Sequence, residues 1–496
     1  MTDQQSLFAP DDNCWRVARA GQAAVIVDAA DYFRFARAAM LTAKRQILLI
    51  GWDFDARIEI EAQPGDAGPA RIGDFLAWLA DRTPGLDVYL LRWDMGALKT
   101  LTRLSAILSL LRWLRRRNLH IRLDMRHPTG ASHHQKLIVI DDCIAFCGGI
   151  DMTANRWDTR EHRDDDPRRV QPDGSPALPW HDAAWAVEGD LAAVLGQLGR
   201  DRWRRSGGKA LAVPKAGAAC WPEGLPIDFT AIDMGVSRTM PVMDDEAPVL
   251  EIERLYRDQI AHATRHLYIE SQYFASRKIA EWIGLRLDED DPPEIVIINP
   301  VAAEGWLQPL AMDSARARLW DALKARDHKD RLRIYHPVTA GGTPIYVHAK
   351  ILVADDRILR VGSSNINNRS LRLDTECDLS IDAATAEDRA RIVTVRNELI
   401  AEHLGCDADT VTARIDASGS LIETIEALRG HGKTLHGYER PALSEAEKWL
   451  ADNEVLDPEG PEEMFEPLAK RGLFRRGWFR RRRGARVARA SRAESH

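Results

Sequence analysis

The spacing of hydrophobic residues changes between two periods along this chain, and the changes occur in the same order in each half. Residues 29–45 place apolar side chains three and four positions apart, which predicts an amphipathic helix, and they lead into an apolar strand at 47–50. Residues 248–265 repeat the helical pattern and lead into a strand at 267–269. Each half is therefore predicted to open with a helix followed by a buried strand.

Further short strands follow in the same order in both halves. The apolar runs 88–91 and 295–298 predict a second strand, and 121–128 and 332–337 predict a third strand that ends in His-Pro. A helical stretch separates the second strand from the third. Helices that alternate with short apolar strands are typical of α/β layers around a largely buried sheet, so we predict an α/β protein.

Composition sets the expected limits of the two halves. The N-terminal half is expected over residues 20–205 and the C-terminal half over 246–410. Between them, residues 206–245 are rich in Gly, Pro and Ala, which predicts a linker. The chain then becomes polar and mixed, and we expect residues 411–496 to form a loosely ordered extension.

Positive charge is concentrated at the end of that extension. The formal net charge of the chain is −7, but residues 470–492 contain eleven basic residues and no acidic one, so the rest of the chain is acidic. Leu473-Phe474 and Trp478-Phe479 interrupt the arginines, and this mixture suits an anionic lipid surface. A solvated tail without a specific role and a nucleic-acid contact are the alternatives.

Composition also disfavours several protein classes. The chain of 496 residues is 45% hydrophobic and 29% charged, which is typical of a soluble globular protein, and it has no apolar run long enough to span a membrane. The acidic N-terminus does not resemble a secretory signal. The six cysteines form no C-x-x-C pair. Cys143 and Cys147 are predicted to be buried small hydrophobes rather than disulfide partners, which favours a reducing compartment.

Two copies of one cassette of polar groups lie 214 residues apart. Each copy has a His-x-Lys, four mostly apolar residues, an Asp, and then a Gly followed by small and polar residues. The matched positions are His134 and His348, Lys136 and Lys350, Asp141 and Asp355, Gly148 and Gly362, Gly149 and Ser363, and Asp151 and Asn365. A single short pattern of this kind carries little weight, but two copies in register predict a duplicated functional element.

The cassette groups suit chemistry on a phosphodiester. Residues two apart in a strand project from the same face, so each His-x-Lys directs its imidazole and its ammonium group to one place. Glycine lets backbone N–H groups approach an anion, and lysines neutralise charge on phosphate oxygens. If both copies share one site, one imidazole can form a phosphohistidine while the other protonates the leaving alkoxide and activates water or an alcohol. The repeated pattern does not say which histidine has which role.

These motifs resemble those of the phospholipase D superfamily, whose HKD motif is H-x-K-x4-D-x6-G-[GS]-x-[ND]. The residues are most similar to the phosphatidylcholine-type branch at 133–159, at 346–370, in YIESQYF at 268–274 and in Pro179-Trp180-His181-Asp182. The resemblance covers residues 20–405. It implies two α/β/α sandwich halves related by a pseudo-twofold axis, with one active site between them.

The resemblance also implies roles for individual residues. His134 is implied to be the nucleophile and His348 the general acid and base. Glu376 lies 28 residues after His348, where superfamily members place a carboxylate that orients a catalytic histidine. The counterpart in the first half is less clear because position 162 is a histidine, and Asp158 is the candidate. The predicted catalytic set is His134, Lys136, Asp141, His348, Lys350 and Asp355, with Gly149, Asp151, Ser363, Asn365, Glu376 and Asp158 around the phosphate.

One weaker pattern concerns metals. His162 is followed by Asp164, Asp165 and Asp166, and oxygen-rich clusters suit Ca²⁺ or Mg²⁺, although a solvated acidic loop is the more common meaning. The predicted chemistry needs no metal, so we predict no metal and no cofactor.

We therefore predict a phospholipase D that hydrolyses the distal phosphodiester bond of a phosphatidylcholine-like lipid to phosphatidate and free headgroup, and that transfers the phosphatidyl group to alcohols. The alternatives are a phosphatidyltransferase that resembles cardiolipin or phosphatidylserine synthases, and a nuclease of the superfamily. A phospholipid surface is the expected partner, no obligate protein partner is expected, and nucleic acid is disfavoured. We expect the protein in the cytoplasm or at a membrane surface, with export in the absence of a classical signal as the alternative.

Overall fold

The computed structural model describes residues 6–60, 68–93, 113, 116–215, 220–243, 246–303, 312–442, 444 and 457. In this part of the chain the two halves repeat one order of strands and helices, as the hydrophobic pattern predicted. The basic tail at 470–492 lies outside the described residues, so its contact with lipid stays a prediction.

The first half alternates strands with helices and ends in a long helix. Its elements are β1 (Arg16–Val27), α1 (Ala29–Leu41), β2 (Gln46–Gly51), α2 (Ile72–Arg82), β3 (Asp87–Trp93), β4 (Leu119–Asp124), β5 (Leu137–Ile140), β6 (Ile144–Gly148), β7 (Trp180–His181), β8 (Ala183–Glu188) and α3 (Asp190–Arg205).

The second half repeats this order and adds elements at its end. Its elements are β9 (Phe229–Met240), β10 (Val249–Leu250), α4 (Glu251–His262), β11 (His266–Glu270), α5 (Arg277–Leu287), β12 (Glu294–Ile298), α6 (Ser314–Lys324), β13 (Leu332–Val338), β14 (Tyr346–Val347), β15 (Ile351–Ala354), β16 (Ile358–Gly362), a π-helical turn (Arg369–Leu373), β17 (Glu376–Asp382), α7 (Ala386–Leu404), α8 (Ala408–Ser418), α9 (Leu421–Leu428) and β18 (Thr434–Gly437).

β7 and β14 pair with each other, and all the other described strands form one continuous sheet. Its order is β18-β13-β12-β11-β15-β16-β17-β9-β1-β8-β6-β5-β2-β3-β4, with β10 paired to β9. β1 and β9 pair antiparallel at its centre. Outward from this pair, β8, β6, β5, β2, β3 and β4 on one side match β17, β16, β15, β11, β12 and β13 on the other. The predicted pseudo-twofold axis therefore runs between β1 and β9, and β18 is an addition to the second half.

Neighbouring residues of the inner strands pack into different cores. Ile47 of β2 packs with α1 and α2, whereas the next residue, Leu48, faces a core that also contains residues of the second half. In β11, Leu267 packs with α4 and α5, and the next residue, Tyr268, joins the shared core. Because side chains alternate between the faces of a strand, each half has its own outer core, and both halves share the inner one.

The segment 206–245 is more than the linker that its composition suggested. Its second part forms β9, which pairs with β1 on one side and with β17 on the other. The Gly, Pro and Ala residues are concentrated before this strand, whereas residues 229–240 are largely buried. The prediction of a linker is therefore wrong for β9, which lies at the centre of the sheet.

The extension after residue 411 is also more ordered than expected. α8 and α9 place Val411, Ile415, Leu421 and Ile425 in the shared core, and β18 pairs antiparallel with β13. Within each helix the two residues lie four positions apart, so each helix buries one face. The second half therefore extends at least to residue 437.

One cysteine prediction needs correction. Cys143 forms a disulfide with Cys220, 77 residues away in the chain, whereas Cys147 is free and buried as predicted. Sequence spacing does not reveal such a long-range pair. Disulfides persist in oxidising compartments, so the cysteines no longer favour a reducing one. No helix in the described ranges is both long and apolar enough to cross a membrane.

Candidate active site

The two His-x-Lys segments lie where the halves meet. Each directly precedes a buried strand, β5 or β15, that runs antiparallel to β2 or β11, so each begins at the edge where the parallel strands of its half end. The backbone N–H of His134 donates to the carbonyl oxygen of Thr375 at 2.9 Å, and that of His348 donates to the carbonyl oxygen of His181 at 2.7 Å. Each segment is thus hydrogen-bonded to the backbone of the opposite half.

The two cassette imidazoles are close together, and each is held by a carboxylate of the opposite half. Their ring centroids are 6.5 Å apart. Nδ1 of His134 lies 3.0 Å from both carboxylate oxygens of Glu376 and 3.0 Å from the carbonyl oxygen of Ser363. Nδ1 of His348 lies 2.6 Å from Oδ2 of Asp182. Because Nδ1 of each ring is occupied, Nε2 is the nitrogen that remains for chemistry.

The prediction that Asp158 orients a catalytic histidine is wrong, and Asp182 has that position. Asp158 lies 3.0 Å from Nδ1 of His162 and pairs with Arg169 at 3.0 Å, so it contacts neither cassette histidine. Asp182 belongs to the Pro-Trp-His-Asp run, which was one of the motifs that resemble the family. This run was the feature of the sequence that could have identified Asp182 as a site residue.

The two orienting carboxylates are equivalent under the pseudo-twofold symmetry. Ala184 of β8 pairs with Gly148, and Asp378 of β17 pairs with Gly362. Matched residues here differ by 194 positions, whereas the cassettes differ by 214, because the first half carries additional residues between its cassette and β8. Asp182 lies two residues before Ala184, and Glu376 lies two residues before Asp378, so the two carboxylates occupy equivalent positions. A count of 28 residues from His134 arrives at position 162 instead.

Both cassette lysines are buried, but their partners differ. Nζ of Lys136 lies 3.3 Å from Oδ2 of Asp151 and donates to the carbonyl oxygen of His134 at 2.8 Å. Nζ of Lys350 donates to the carbonyl oxygen of His348 and lies 3.5 Å from Oε1 of Gln272. The first ammonium group is therefore paired with a carboxylate, whereas the hydrogen-bond acceptors of the second are neutral oxygens.

Burial and nearby cations favour neutral imidazoles. Burial, Lys136 and Lys350 hold the pKa of His134 well below its usual value, and burial and Lys350 do the same to the pKa of His348. Burial also raises the pKa of Glu376 well above its usual value. A neutral ring whose Nδ1 donates to an oxygen has a lone pair on Nε2, which is the form that a nucleophile or a general base needs.

Two residues that were predicted around the phosphate instead support the carboxylates. A Cβ at Gly149 would collide with Oδ1 of Asp182, so only glycine allows this carboxylate its position. Oγ of Ser363 donates to Oε2 of Glu376 at 2.5 Å. Gly149 and Ser363 thus position the groups that hold the two histidines.

Other polar groups complete the site. Asn365 is buried, and its Oδ1 accepts no hydrogen bond from any described residue. The guanidinium group of Arg156 lies 4.1 Å from the ring centroid of Trp180, and that ring lies 5.1 Å from the ring of His348. Arg156 is a third cation that was missed, although it lies in the 133–159 motif.

The cassette aspartates lie at the far ends of their strands. Asp141 accepts the backbone N–H groups of residues 44–46 at 2.6 to 2.9 Å, and Asp355 accepts those of residues 264–266 at 2.8 Å. Four extended residues lie between each lysine and its aspartate, which puts the two roughly 16 Å apart. The prediction that Asp141 and Asp355 are catalytic is therefore wrong, since they fasten the beginning of β2 and of β11.

The acidic run after His162 does not form the metal site that was considered. Asp164 accepts the N–H of Gly341 at 2.7 Å, and Asp166 pairs with Arg168 at 2.7 Å. His162 instead lies in a different buried cluster.

We expect Asp355→Ala to destabilise the fold without a direct effect on chemistry. The substitution leaves three backbone donors without their acceptor, so the free energy of unfolding should fall by about 2–4 kcal/mol. Urea unfolding measures this loss, and kcat per folded molecule should remain near that of the unmodified protein. A stable Asp355→Ala protein with a large loss of kcat would return this residue to the catalytic set.

The pH dependence should report on Lys350. Burial lowers its pKa to about 7, so its charge is present below this pH and is lost above it. Because a phosphodiester is an anion, kcat/KM on such a substrate should fall by roughly tenfold per pH unit above this value. Asn365→Asp places a carboxylate beside Lys350, as Asp151 does beside Lys136 in the first half. This substitution should raise the pKa of Lys350 and shift the fall in kcat/KM to higher pH. If the pH at which kcat/KM falls is unchanged in Asn365→Asp, the ionisation belongs to another group.

Comparisons with known proteins give matches in both halves of the chain. The family model described as Phospholipase D matches residues 39–219, and the model described as Cardiolipin synthase, PLD-like domain, matches residues 256–393. Phospholipase D alpha 1 of Vigna unguiculata is 23% identical over 75% of this chain and 63% of its own length. Phospholipase D alpha 2 of Arabidopsis thaliana is 24% identical over 74% of this chain and 63% of its own length. The chain thus spans less than two thirds of the length of these relatives.

A solved structure supports the fold. The phosphatidylserine synthase of Haemophilus influenzae Rd KW20 superimposes with a TM-score of 0.56 at 15% identity, covering 76% of this chain and 86% of that one. The two family models fall on the two halves that the sheet topology defines, and each half contributes one His-x-Lys to the shared site. The chain belongs to the phospholipase D superfamily.

Proposed function

We propose that the protein is a phosphodiesterase that hydrolyses the distal phosphodiester bond of glycerophospholipids and also transfers the phosphatidyl group to alcohols. The observation that carries this proposal is the pair of imidazoles, His134 and His348, each held at Nδ1 by oxygen acceptors of the opposite half. Such a pair provides one nucleophile and one acid-base group for a single phosphorus atom. Similarity to proteins named phospholipase D supports a phospholipid as the substrate.

In the first step, Nε2 of His134 attacks phosphorus, and the bond between phosphorus and the headgroup oxygen breaks. His348 gives the proton on its Nε2 to that oxygen, so the headgroup leaves as an alcohol. The bound phosphodiester is an anion, and its charge raises the pKa of His348 when substrate binds, which supplies this proton. Lys136, Lys350 and Arg156 stabilise the charge on the non-bridging oxygens.

In the second step, His348 accepts a proton from water or from an alcohol at Nε2. The resulting oxygen nucleophile attacks phosphorus, the bond between phosphorus and Nε2 of His134 breaks, and the electron pair returns to the ring. Phosphatidate or a new phosphatidyl alcohol is released. Because either hydroxyl compound can enter, hydrolysis and transfer share one intermediate.

Three exposed apolar side chains lie next to elements at the edge that carries the site, which supports a lipid surface as the partner. Met125 follows β4 and is 71% exposed, and Leu178 lies two residues before Trp180 and is 73% exposed. Val301 follows β12 in the second half and is 45% exposed. Apolar side chains at such a rim can enter the boundary between lipid headgroups and acyl chains.

The proposal is tested with phosphatidylcholine vesicles and 1-butanol. We expect free choline, phosphatidate and phosphatidylbutanol from the unmodified protein and none of them from His134→Ala or His348→Ala. His120→Ala is the matched control, because this partly exposed imidazole pairs with Asp87 outside the site. Cleavage of bis-p-nitrophenyl phosphate or of DNA, with no headgroup released from phosphatidylcholine, phosphatidylethanolamine or phosphatidylglycerol, would contradict a lipid substrate.

The rim should matter only for lipid in a membrane. Loss of two buried apolar contacts weakens attachment by about 3 kcal/mol or more, so Met125→Asp combined with Leu178→Asp should lower turnover of vesicles by at least tenfold. Turnover of a short-chain phosphatidylcholine below its micellar concentration should not change. Leu285→Asp, an exposed residue of α5, is the matched control. An equal loss on both substrates would show that the rim variants damage the site itself.

A further inference from the structure

A second group of buried imidazoles and carboxylates lies beside the catalytic pair. We call Asp28, His162, His181 and Glu402 the inner cluster. Their exposed fractions are 1%, 1%, 0% and 8%. The first three belong to the first half, and Glu402 belongs to α7 of the second half. The chemistry proposed above uses none of them.

Each member of the inner cluster turns one atom toward the others. Oε1 of Glu402 lies 3.1 Å from Nε2 of His162 and 2.9 Å from Nδ1 of His181. Oδ2 of Asp28 lies 3.4 Å from Nε2 of His162, and the other carboxylate oxygen of Asp28, Oδ1, lies 3.3 Å from Nδ1 of His181. A tetrahedral zinc ion with bonds of about 2.0–2.1 Å has ligand atoms about 3.3–3.4 Å apart. The three separations that Oε1 of Glu402 and Oδ2 of Asp28 make with the imidazole nitrogens are 2.9 to 3.4 Å, and all four inner atoms lie within 4.8 Å of one another.

Each imidazole of the cluster is fixed from outside by a further carboxylate. Nδ1 of His162 lies 3.0 Å from Oδ2 of Asp158, and Nε2 of His181 lies 2.6 Å from Oε2 of Glu270. Histidines that bind metals almost always place their second ring nitrogen on a carboxylate, a carbonyl or water, which fixes the tautomer and the ring. The nitrogen that remains on each ring is the one that faces the cluster.

The carboxylates are fixed in a similar way. Oε2 of Glu402 accepts from Nε of Arg160 at 2.6 Å, and Oδ1 of Asp28 accepts the backbone N–H of Asp182 at 3.1 Å. The second oxygen of each is left for the cluster. Four residues thus offer four inner atoms, each backed by an outer hydrogen bond.

Two of the inner atoms are buried without a well-aligned hydrogen bond. Oδ2 of Asp28 and Nδ1 of His181 make none of good geometry with any described residue, although Nδ1 of His181 lies 2.9 Å from Oε1 of Glu402. Buried polar atoms are nearly always hydrogen-bonded, so these two atoms call for an explanation. Both lie among other lone-pair donors, which is the environment of a metal ligand.

The cluster attracts positive charge. The carboxylates of Asp28, Glu402, Asp158 and Glu270 each lie within 3.4 Å of at least one of its two imidazoles. A proton or a metal ion would occupy the same inner nitrogen, so metal content distinguishes the two. Two imidazoles with two carboxylates suit Zn²⁺ and similar transition-metal ions, whereas Ca²⁺ and Mg²⁺ prefer oxygen ligands throughout.

We propose that Asp28, His162, His181 and Glu402 bind one zinc ion, or another divalent transition-metal ion with the same ligand preference. The ion joins the first half to α7 of the second half. His181 directly precedes Asp182, whose carboxylate holds His348, so the ion also positions the catalytic pair without contact to the substrate. This site uses different ligands from the acidic run that follows His162 in the sequence.

The metal content of the purified protein is the first test. Protein without a polyhistidine tag, from cells grown with added zinc, is dialysed without chelator and measured by inductively coupled plasma mass spectrometry. We expect one metal ion per chain, and its loss in Glu402→Gln and in His162→Gln. His336→Gln is the matched control, since this buried histidine contacts the carbonyl oxygen of Asn299 at 2.9 Å, outside the cluster, and it should retain the ion.

A second measurement keeps the proposal testable if the variants do not fold. Unmodified protein is treated with a chelator, dialysed and titrated with Co²⁺ or Zn²⁺. We expect the visible absorption of four-coordinate Co²⁺ with nitrogen and oxygen ligands, and a higher unfolding temperature with either ion. Unmodified protein that carries less than a tenth of an equivalent and gains neither signal overturns the proposal. Full metal retention in folded Glu402→Gln and His162→Gln overturns it as well.

Discussion

His134→Ala is expected to lower kcat on phosphatidylcholine by at least about 10⁴-fold. In the proposed mechanism, Nε2 of His134 forms the covalent bond to phosphorus, and the neighbouring imidazole of His348 is the proton donor in the same step. Removal of the nucleophile therefore removes the intermediate itself. KM should change much less, because Lys136, Lys350 and Arg156 still bind the phosphate.

The control for this prediction is His120→Ala, which should retain kcat and KM. Circular dichroism and the unfolding temperature establish that His134→Ala is folded before its kinetics are interpreted. Retention of more than a hundredth of the original kcat by folded His134→Ala would rule out this residue as the nucleophile.

Asp182→Asn should lower kcat by about 10²–10⁴-fold. The carboxylate accepts from Nδ1 of His348 at 2.6 Å, and this keeps the proton on Nδ1 and the lone pair on Nε2. The amide of asparagine can donate to Nδ1 instead, which favours the opposite tautomer. His348 then has the wrong form at Nε2 when it must accept a proton from water.

The leaving group separates this role from a structural one. A p-nitrophenol ester needs no proton on its leaving group, so Asp182→Asn should slow its first step far less than it slows phosphatidylcholine cleavage. Asp158→Asn serves as the comparison, because Asp158 contacts His162 and Arg169. It should lower stability without any dependence on the leaving group. If Asp158→Asn shows that dependence and Asp182→Asn does not, the orienting carboxylate has been assigned to the wrong residue.

The hydrophobic pattern was sufficient to predict α1 and α4 and the strands β2, β3 and β4 with their counterparts β11, β12 and β13, but not β1, β9, α2 or α5. Strands buried on both faces, such as β5 and β12, leave uninterrupted apolar runs, and the runs recur in the same order in both halves. The two cassettes were likewise sufficient to locate His134, Lys136, His348 and Lys350. Two copies of one cassette that share a site must lie close to the symmetry axis between the halves. The duplication in the sequence therefore predicted where the site lies.

Residues whose roles depend on contacts distant in sequence were harder to predict. Asp182 is equivalent to Glu376 only after the additional residues of the first half are removed, and that alignment requires the sheet register. Asp141 and Asp355 are part of the sequence motif, but each lies one strand length away from the site. The pairing of Cys143 with Cys220 also joins distant segments, and no local pattern predicts it.

A covalent intermediate on His134 is the central claim, and His348→Ala makes it directly measurable. With phosphatidyl-p-nitrophenol as substrate, the first step needs no acid, while the second step lacks its base. We expect a burst of one p-nitrophenolate per site, followed by very slow turnover, and a phosphatidyl group on the peptide that contains His134 by mass spectrometry. Steady turnover without an adduct, or an adduct on His348 in the matching His134→Ala experiment, would contradict the account.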